Sequence, residues 1–200
     1  TIEVKNSIKP LDYVESINKL EKRVDDVISG KKSELLWILE HKTVYTGGTS
    51  SDPKDLINKK IKIIKTNRGG KYTVHSPGQK IIYFALNLNK RDKDIRKLVN
   101  KIENCIINIL NEYKISSYAD KKNIGIWIDD KKIAAIGIRV KKWVAYHGFS
   151  LNVSNDLSKY EEIVPCGIRD KGITSLKDLE IKNYTNIDQI ITKQFLNTFS

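Results

Sequence analysis

Cysteine is scarce. Two cysteines in 200 residues, Cys105 and Cys166, are too few to staple a disulfide scaffold, and no Cys-x-x-Cys pair exists to hold zinc. The three histidines, His41, His75 and His147, are dispersed and lack matching Cys or carboxylate spacing, so no metal is expected. Long apolar runs are missing too. No stretch approaches the roughly 18 residues a spanning helix requires, and the first residues, TIEVKNSIKP, hold nothing like the apolar core of a signal peptide. A reducing, cytoplasmic setting with no membrane partner is the expectation. Internal repeats, low-complexity linkers and composition breaks are likewise lacking, so residues 1–200 read as a single domain.

Hydrophobic residues make up 40% and charged residues 30%, which excludes a disordered or collagen-like chain. A chain of this length buries about 70% of its unfolded surface, enough for a real core. Lys and Arg exceed Asp and Glu by 36 to 24, a net charge of +12 that favours anionic partners. Lysine-rich composition bias produces the same number, so the sign alone does not choose a partner.

Val14, Ile17, Leu20, Val24, Val27 and Ile28 recur at helical spacing, with Gly30 placed for a left-handed C-terminal cap. Residues 34–40 (ELLWILE) read as a strand, and the following HKTVYTGGTSSDP as a loop. Residues 61–65 (IKIIK) read as another strand. KYTVH and KIIYFAL form two more, joined by a turn at Ser76-Pro77-Gly78. Ile95, Leu98, Val99, Ile102, Ile106, Ile109, Leu110 and Tyr113 form one helical stripe, and Cys105 lies on it as a small inert hydrophobe. IGIWID, a tight turn at Asp129-Asp130-Lys131, KIAAIGIRV and WVAYHGFSLNV make a second β-rich block. An irregular stretch with IVPCGI precedes a last helix through Ile187, Ile190, Ile191 and Phe195, with Asn186 as its cap. Helices and strands alternate without a strict βαβ repeat. The fold class is therefore α+β, a mixed, largely antiparallel sheet with packed helices.

Cys166 sits between Pro165 and Gly167, which exclude an ordinary helix interior and display the thiol. A thiol acts as a nucleophile only when deprotonated, which calls for a neighbouring base or cation. Lys132, opening KIAAIGIRV, is positioned to project over Ala134, Ala135 and Gly137. Residues 68–79 (RGGKYTVHSPGQ) combine a cation, paired glycines and polar side chains, a loop able to approach an anionic or carbonyl group closely. Their spacing matches neither a P-loop nor a dinucleotide fingerprint. His75 and His147 adjoin glycine-bearing loops and are read either as hydrogen-bonded strand-end residues or as site residues.

Taken together, six ordered blocks resemble one family. They are Glu40-His41 with Val44-Tyr45-Thr46 and Gly48; Arg68-Gly69-Gly70 with Thr73, His75 and Pro77-Gly78-Gln79; Gly125-Ile126-Trp127; Lys132-Ile133-Ala134-Ala135-Ile136-Gly137; His147-Gly148-Phe149-Ser150-Leu151-Asn152-Val153; and Pro165-Cys166-Gly167. The chain resembles the lipoyl(octanoyl) transferases of the biotin and lipoate protein ligase superfamily.

The resemblance implies octanoyl transfer from acyl carrier protein to a lysine of lipoyl domains, those of 2-oxoacid dehydrogenase complexes and of the glycine cleavage H protein, with no cofactor. It implies that Cys166 carries the acyl group and that Lys132 lowers its pKa. It further implies substrate contacts from Arg68, Gly69, Gly70, Lys71, Tyr72, Thr73, Val74 and His75, from Ala135, Ile136 and Gly137, and from Gly148, Phe149 and Ser150. Val74, Ser76 and Phe84 depart from the family pattern, which bears on the acyl pocket and its turn.

The nearest rival is an ATP-dependent lipoate or biotin protein ligase, which has no need of Cys166. A basic nucleic-acid-binding module is a further alternative. Against it, Trp37, Trp127 and Trp143 read as members of apolar strands rather than as interleaved with an exposed basic run, so no nucleic-acid partner is expected.

Overall fold

The computed structural model describes residues 1–167 and 171–200, with the side chain of Cys166 also outside the description. In chain order its strands are β1 (Ile2–Asn6), β2 (Glu34–Leu39), β3 (Val44–Gly47), β4 (Ile63–Lys65), β5 (Tyr72–His75) and β6 (Gln79–Asn87), followed by β7 (Tyr118–Ala119), β8 (Ile126–Ile128), β9 (Lys131–Lys141), β10 (Val144–Asn152) and β11 (Gly172–Ile173). The helices are α1 (Tyr13–Ile28), α2 (Ile95–Asn111) and α3 (Ile187–Phe199).

Among the described residues the main sheet runs β1-β2-β6-β10-β9-β8-β7, with β11 beside β9; a second sheet runs β4-β3-β5. Pairing is antiparallel except for β1 on β2, β11 on β9 and β4 on β3. This is the mixed, largely antiparallel sheet expected from the sequence. The turn at Ser76-Pro77-Gly78 does not close a hairpin. It passes the chain from the small sheet, where β5 pairs β3, to the main sheet, where β6 pairs β2 and β10.

The centre of the main sheet is covered on both faces, which is why its strands are continuously apolar. Along β6, Ile82, Phe84 and Leu86 face α2 and α3, where Phe84 packs on Phe195 with ring centroids 5.9 Å apart. Ile81, Tyr83 and Ala85 face the opposite way, toward Leu20, Val24 and Val27 of α1. Asp12 caps α1 by accepting from the Glu15 N–H at 3.0 Å, and Gly30 at φ +76° ends it as expected. Cys105 is fully buried among the apolar residues of α2, and burial pushes its thiol up to about 12.

Three local expectations are corrected, and one strand, β1, was not anticipated. Residues 44–47 fall inside the expected loop but form β3, because pairing to β4 and β5 overrides their turn-like composition. The exposed segment Ile2–Asn6 forms an edge strand held in parallel against β2. Asn186 precedes α3 without a side-chain cap bond, its Oδ1 accepting from the Tyr113 hydroxyl at 3.1 Å instead. Trp143 lies not in a strand but in the β9–β10 turn, where Lys142 and Trp143 have φ of +47° and +63°.

Candidate active site

A cleft of about 530 Å³ opens between the small sheet and strands β6, β9 and β10. Most of the residues expected to contact substrate line it: Arg68, Gly70, Lys71, Tyr72, Thr73 and His75 from one side, and Ala135 to Gly137 and Gly148 to Ser150 from the other. Two do not. Gly69 donates its N–H to the Ile138 carbonyl at 3.1 Å and so docks the loop on β9. Val74 packs with Tyr72, Tyr160 and Ile163 in a separate small cluster, because alternation along β5 turns it away from His75 and Thr73. Phe84 faces the helical layer, so its departure from the family pattern falls in the core rather than in the cleft.

Arg68 acts within the loop. Its Nη2 donates to Thr46 Oγ1 at 2.8 Å and to the Lys71 carbonyl at 2.8 Å, and its Nη1 to the Gly69 carbonyl at 2.9 Å. The guanidinium fork thereby ties the glycine-rich loop to β3.

Tyr13, Ile81, Tyr83 and His147 also line the cleft. Tyr13 opens a helix and Tyr83 sits mid-strand, so neither carries a local motif that marks it. His147 is turned into the cleft by a left-handed φ of +66°, followed by Gly148 at φ +152°. A Cβ on Gly148 would fall 1.9 Å from the Ile82 carbonyl oxygen, so only glycine fits there. A left-handed non-glycine residue costs of order 1–3 kcal/mol, strain retained here beside a cleft.

The buried imidazoles are held neutral. His41 Nδ1 donates to the Leu11 carbonyl at 3.0 Å, leaving Nε2 to accept from the Tyr83 hydroxyl at 2.7 Å. His75 Nδ1 donates to Gln79 Oε1, and His147 Nε2 donates to Asn67 Oδ1, each at 2.7 Å. Burial is the main cause that lowers their pKa values, to about 4 for His41 and about 3 for His75 and His147. His41 opposes protonation of His75, while Arg68 and Arg139 oppose that of His147. At neutral pH the imidazoles at this end of the cleft are uncharged and lie among aromatic rings, a surface suited to an apolar chain, with the Arg68 guanidinium held in its loop beside them.

At its other end the cleft shares Thr73, Ala135 and Ser150 with a smaller compartment of about 240 Å³, lined also by Lys132, Ala134, Asn152, Tyr160, Pro165 and Ile173. Lys132 is 5% exposed rather than a solvated hairpin residue. A register shift pairs Ile126 with Ala134 but Trp127 with Lys132, leaving Ile133 as the extra residue of a bulge that re-aims its neighbours. The Lys132 Nζ lies 5.6 Å from the centroid of the Trp127 ring. Gly125, at φ +135°, leaves room for it: a Cβ there would come 2.2 Å from Lys132 Cε. Gly125-Ile126-Trp127 is thus the wall against which the lysine stem lies. Asn152 and Tyr160 belong to a polar chain in which the Gln79 Nε2 donates to Asn152 Oδ1 at 2.9 Å and to the Tyr160 hydroxyl at 3.0 Å. The Cys166 thiol lies outside the described residues, but its backbone forms a 3-10 turn with Pro165 and Gly167.

This arrangement is the lipoate protein ligase fold. The chain superposes on lipoate-protein ligase A bound with ATP (TM-score 0.73, 13% identity, 98% of this chain and 85% of that one). It superposes equally on the bi-partite lipoate protein ligase of Thermoplasma acidophilum (TM-score 0.71, 14% identity, 98% and 82%). The family model for the lipoyl protein ligase A/B catalytic domain matches residues 12–199. Sequence relatives are more specific. An octanoyltransferase of Ehrlichia canis is 43% identical over 100% of this chain and 96% of its own length. One of Wolbachia pipientis subsp. Culex pipiens is 44% identical over 94% and 95%. The chain belongs to the octanoyltransferases within the lipoyl protein ligase A/B catalytic domain family, acyltransferases that move an octanoyl group in protein lipoylation. No helix among the described residues is long and apolar enough to cross a membrane.

Proposed function

We propose that the octanoyl donor is the thioester on acyl carrier protein, and that Cys166 takes the acyl group before passing it to a lysine ε-amine on lipoyl domains of 2-oxoacid dehydrogenase complexes and the glycine cleavage H protein. The observation that carries this reading is the shared wall: buried Lys132 and Pro165, the residue before Cys166, line one small compartment that meets the cleft at Thr73, Ala135 and Ser150.

The Lys132 ammonium favours the Cys166 thiolate, which attacks the donor carbonyl carbon. The new C–S bond forms as the carrier's C–S bond breaks, and the carrier leaves as a thiol with the proton that the Lys132 ammonium gives up. The neutral acceptor amine then attacks the acyl-cysteine. An amide C–N bond forms, the Cys166 thiolate departs, and Lys132 relays the proton the amine releases. The donor is already activated, so the protein supplies positioning and an electrostatic site for the developing oxyanion, from backbone N–H groups near Cys166 or in the 135–137 run. The acyl tail lies in the cleft against the aromatic rings and neutral imidazoles of its far end.

The donor is acidic and meets a basic face. Residues 51–71 carry seven cations against Asp52 and Asp55. Lys54, Lys59, Lys60, Lys62 and Lys65 are exposed around Ile57, which is 61% exposed. This segment is tied to the approach to Cys166 by Ile57 and Asn58 N–H bonds to the Glu162 carbonyl, both 3.0 Å. Such complementarity speeds encounter and orients the donor.

The test is transfer from octanoyl-acyl carrier protein to a lipoyl domain without ATP. Amide formation with no nucleotide is the expected result. Transfer that requires ATP and releases pyrophosphate would replace this reading with an adenylating ligase.

A further inference from the structure

The cleft has a back door. Along β9 the register runs from Lys132, opposite Ile173, through Ala135, opposite Ser150, to Gly137, opposite Gly148. Five residues at about 3.3 Å each place Gly137 roughly 16 Å beyond Lys132. Gly148 in turn pairs with Tyr83 on β6, and His41 joins Tyr83 to Tyr13, its ring centroid 5.6 Å from the first and 5.1 Å from the second. Tyr13 is 5% exposed, stacks on His75 at 6.1 Å and hydrogen-bonds the Thr66 side chain.

Behind Tyr13 lies a second cavity, a groove of about 900 Å³ between α1 and the β4 segment, with Val14, Ile17 and Ile64 among its walls. Among the described residues, Tyr13 alone lines both this groove and the cleft. Its ring stands in the wall between them, alongside the hydrogen-bonded pair of Asn67 on the groove side and His147 on the cleft side. Removing the ring opens the cleft toward a groove whose walls are likewise partly apolar.

We propose that the Tyr13 ring is the stop that sets the longest acyl chain accepted, and that the α1–β4 groove behind it receives longer apolar chains once the ring is gone. This rests on the reading that the cleft holds the acyl tail. Specificity of this kind is steric, and a single methylene more or less in an apolar pocket changes transfer by roughly tenfold or more.

The experiment compares wild type, Tyr13→Ala and Tyr13→Phe, measuring kcat/KM with octanoyl and tetradecanoyl donors and binding of free octanoate and tetradecanoate. Tyr13→Ala is expected to raise the tetradecanoyl-to-octanoyl ratio by roughly tenfold or more in both measurements. Tyr13→Phe keeps the ring and is expected to keep the wild-type ratio. An unchanged ratio in Tyr13→Ala would overturn the proposal, and so would an equal rise in Tyr13→Phe, which would make the Thr66 hydrogen bond rather than the ring the stop. Should Tyr13→Ala fail to melt cooperatively, Tyr13→Leu takes its place under the same criteria. Absence of any octanoyl transfer by wild type would count against the proposed function alone, because the fatty-acid binding ratio still decides the role of Tyr13.

Discussion

The two faces of the main sheet are built on different terms. Toward α2 and α3 the protein is apolar and regular, with Phe84, Phe195, Ile102 and Ile106 fully buried. Toward α1 and the small sheet it buries His41, His75, His147, Gln79 and Lys132, and it keeps His147 in a left-handed conformation. The first face holds the fold by removing apolar area from water. The second accepts buried polar groups and strain, in return for a cleft with aromatic rings and neutral imidazoles at one end and a lysine poised at the other. Stability and chemistry are divided between the two sides of one sheet.

The sharpest break in that division is a crossed pair of substitutions. Phe84→Ala empties the helical face and is expected to cost about 3–5 kcal/mol in urea unfolding, while the enzyme that remains folded keeps its pH profile. Lys132→Ala on the cleft side is expected to lower transfer by on the order of a hundredfold or more while changing the unfolding midpoint little. Kinetic and unfolding measurements on both variants check this. Equal losses of stability from the two would erase the distinction.

A smaller effect comes from the neutral histidines. An unfolded histidine titrates near 6.5, whereas His41 titrates at about 4 and His75 and His147 at about 3 in the fold. Between those values the unfolded chain binds more protons, so stability rises with pH across the window and falls as pH drops below about 6.5. The groups facing these rings act in both directions: Arg68 and Arg139 deepen the effect, while Asp12 moderates it at His41. Urea unfolding at steps from pH 7 to pH 5, above most carboxylate titration, is expected to show a steady decline. A flat profile would mean that the buried imidazoles titrate as they do in the unfolded chain.

The same division governs what was legible in the sequence. The helical face is written in local periodicity: the α2 stripe, Cys105 upon it, and the strands β6, β9 and β10 all follow from spacing. The cleft was legible only through its ordered motifs, His147 among them, because Tyr13 and Tyr83 reach it through tertiary packing rather than a local pattern. β3 was hidden by its turn-like residues Thr46 and Gly47, and β1 by its exposed edge position. The Lys142-Trp143 turn was hidden because neither residue is one that commonly takes positive φ. Val74 falls outside the cleft lining for the opposite reason: the motif is contiguous, but strand alternation turns Val74 away from Thr73 and His75.

The account turns on whether Cys166 carries the acyl group, and intact mass measurement addresses that most directly. Incubation with octanoyl-acyl carrier protein in the absence of acceptor is expected to add one octanoyl group, mapped to Cys166, lost on adding a lipoyl domain and missing from Cys166→Ser. Transfer that proceeds at full rate in Cys166→Ser, with no adduct on the wild-type enzyme, would contradict it.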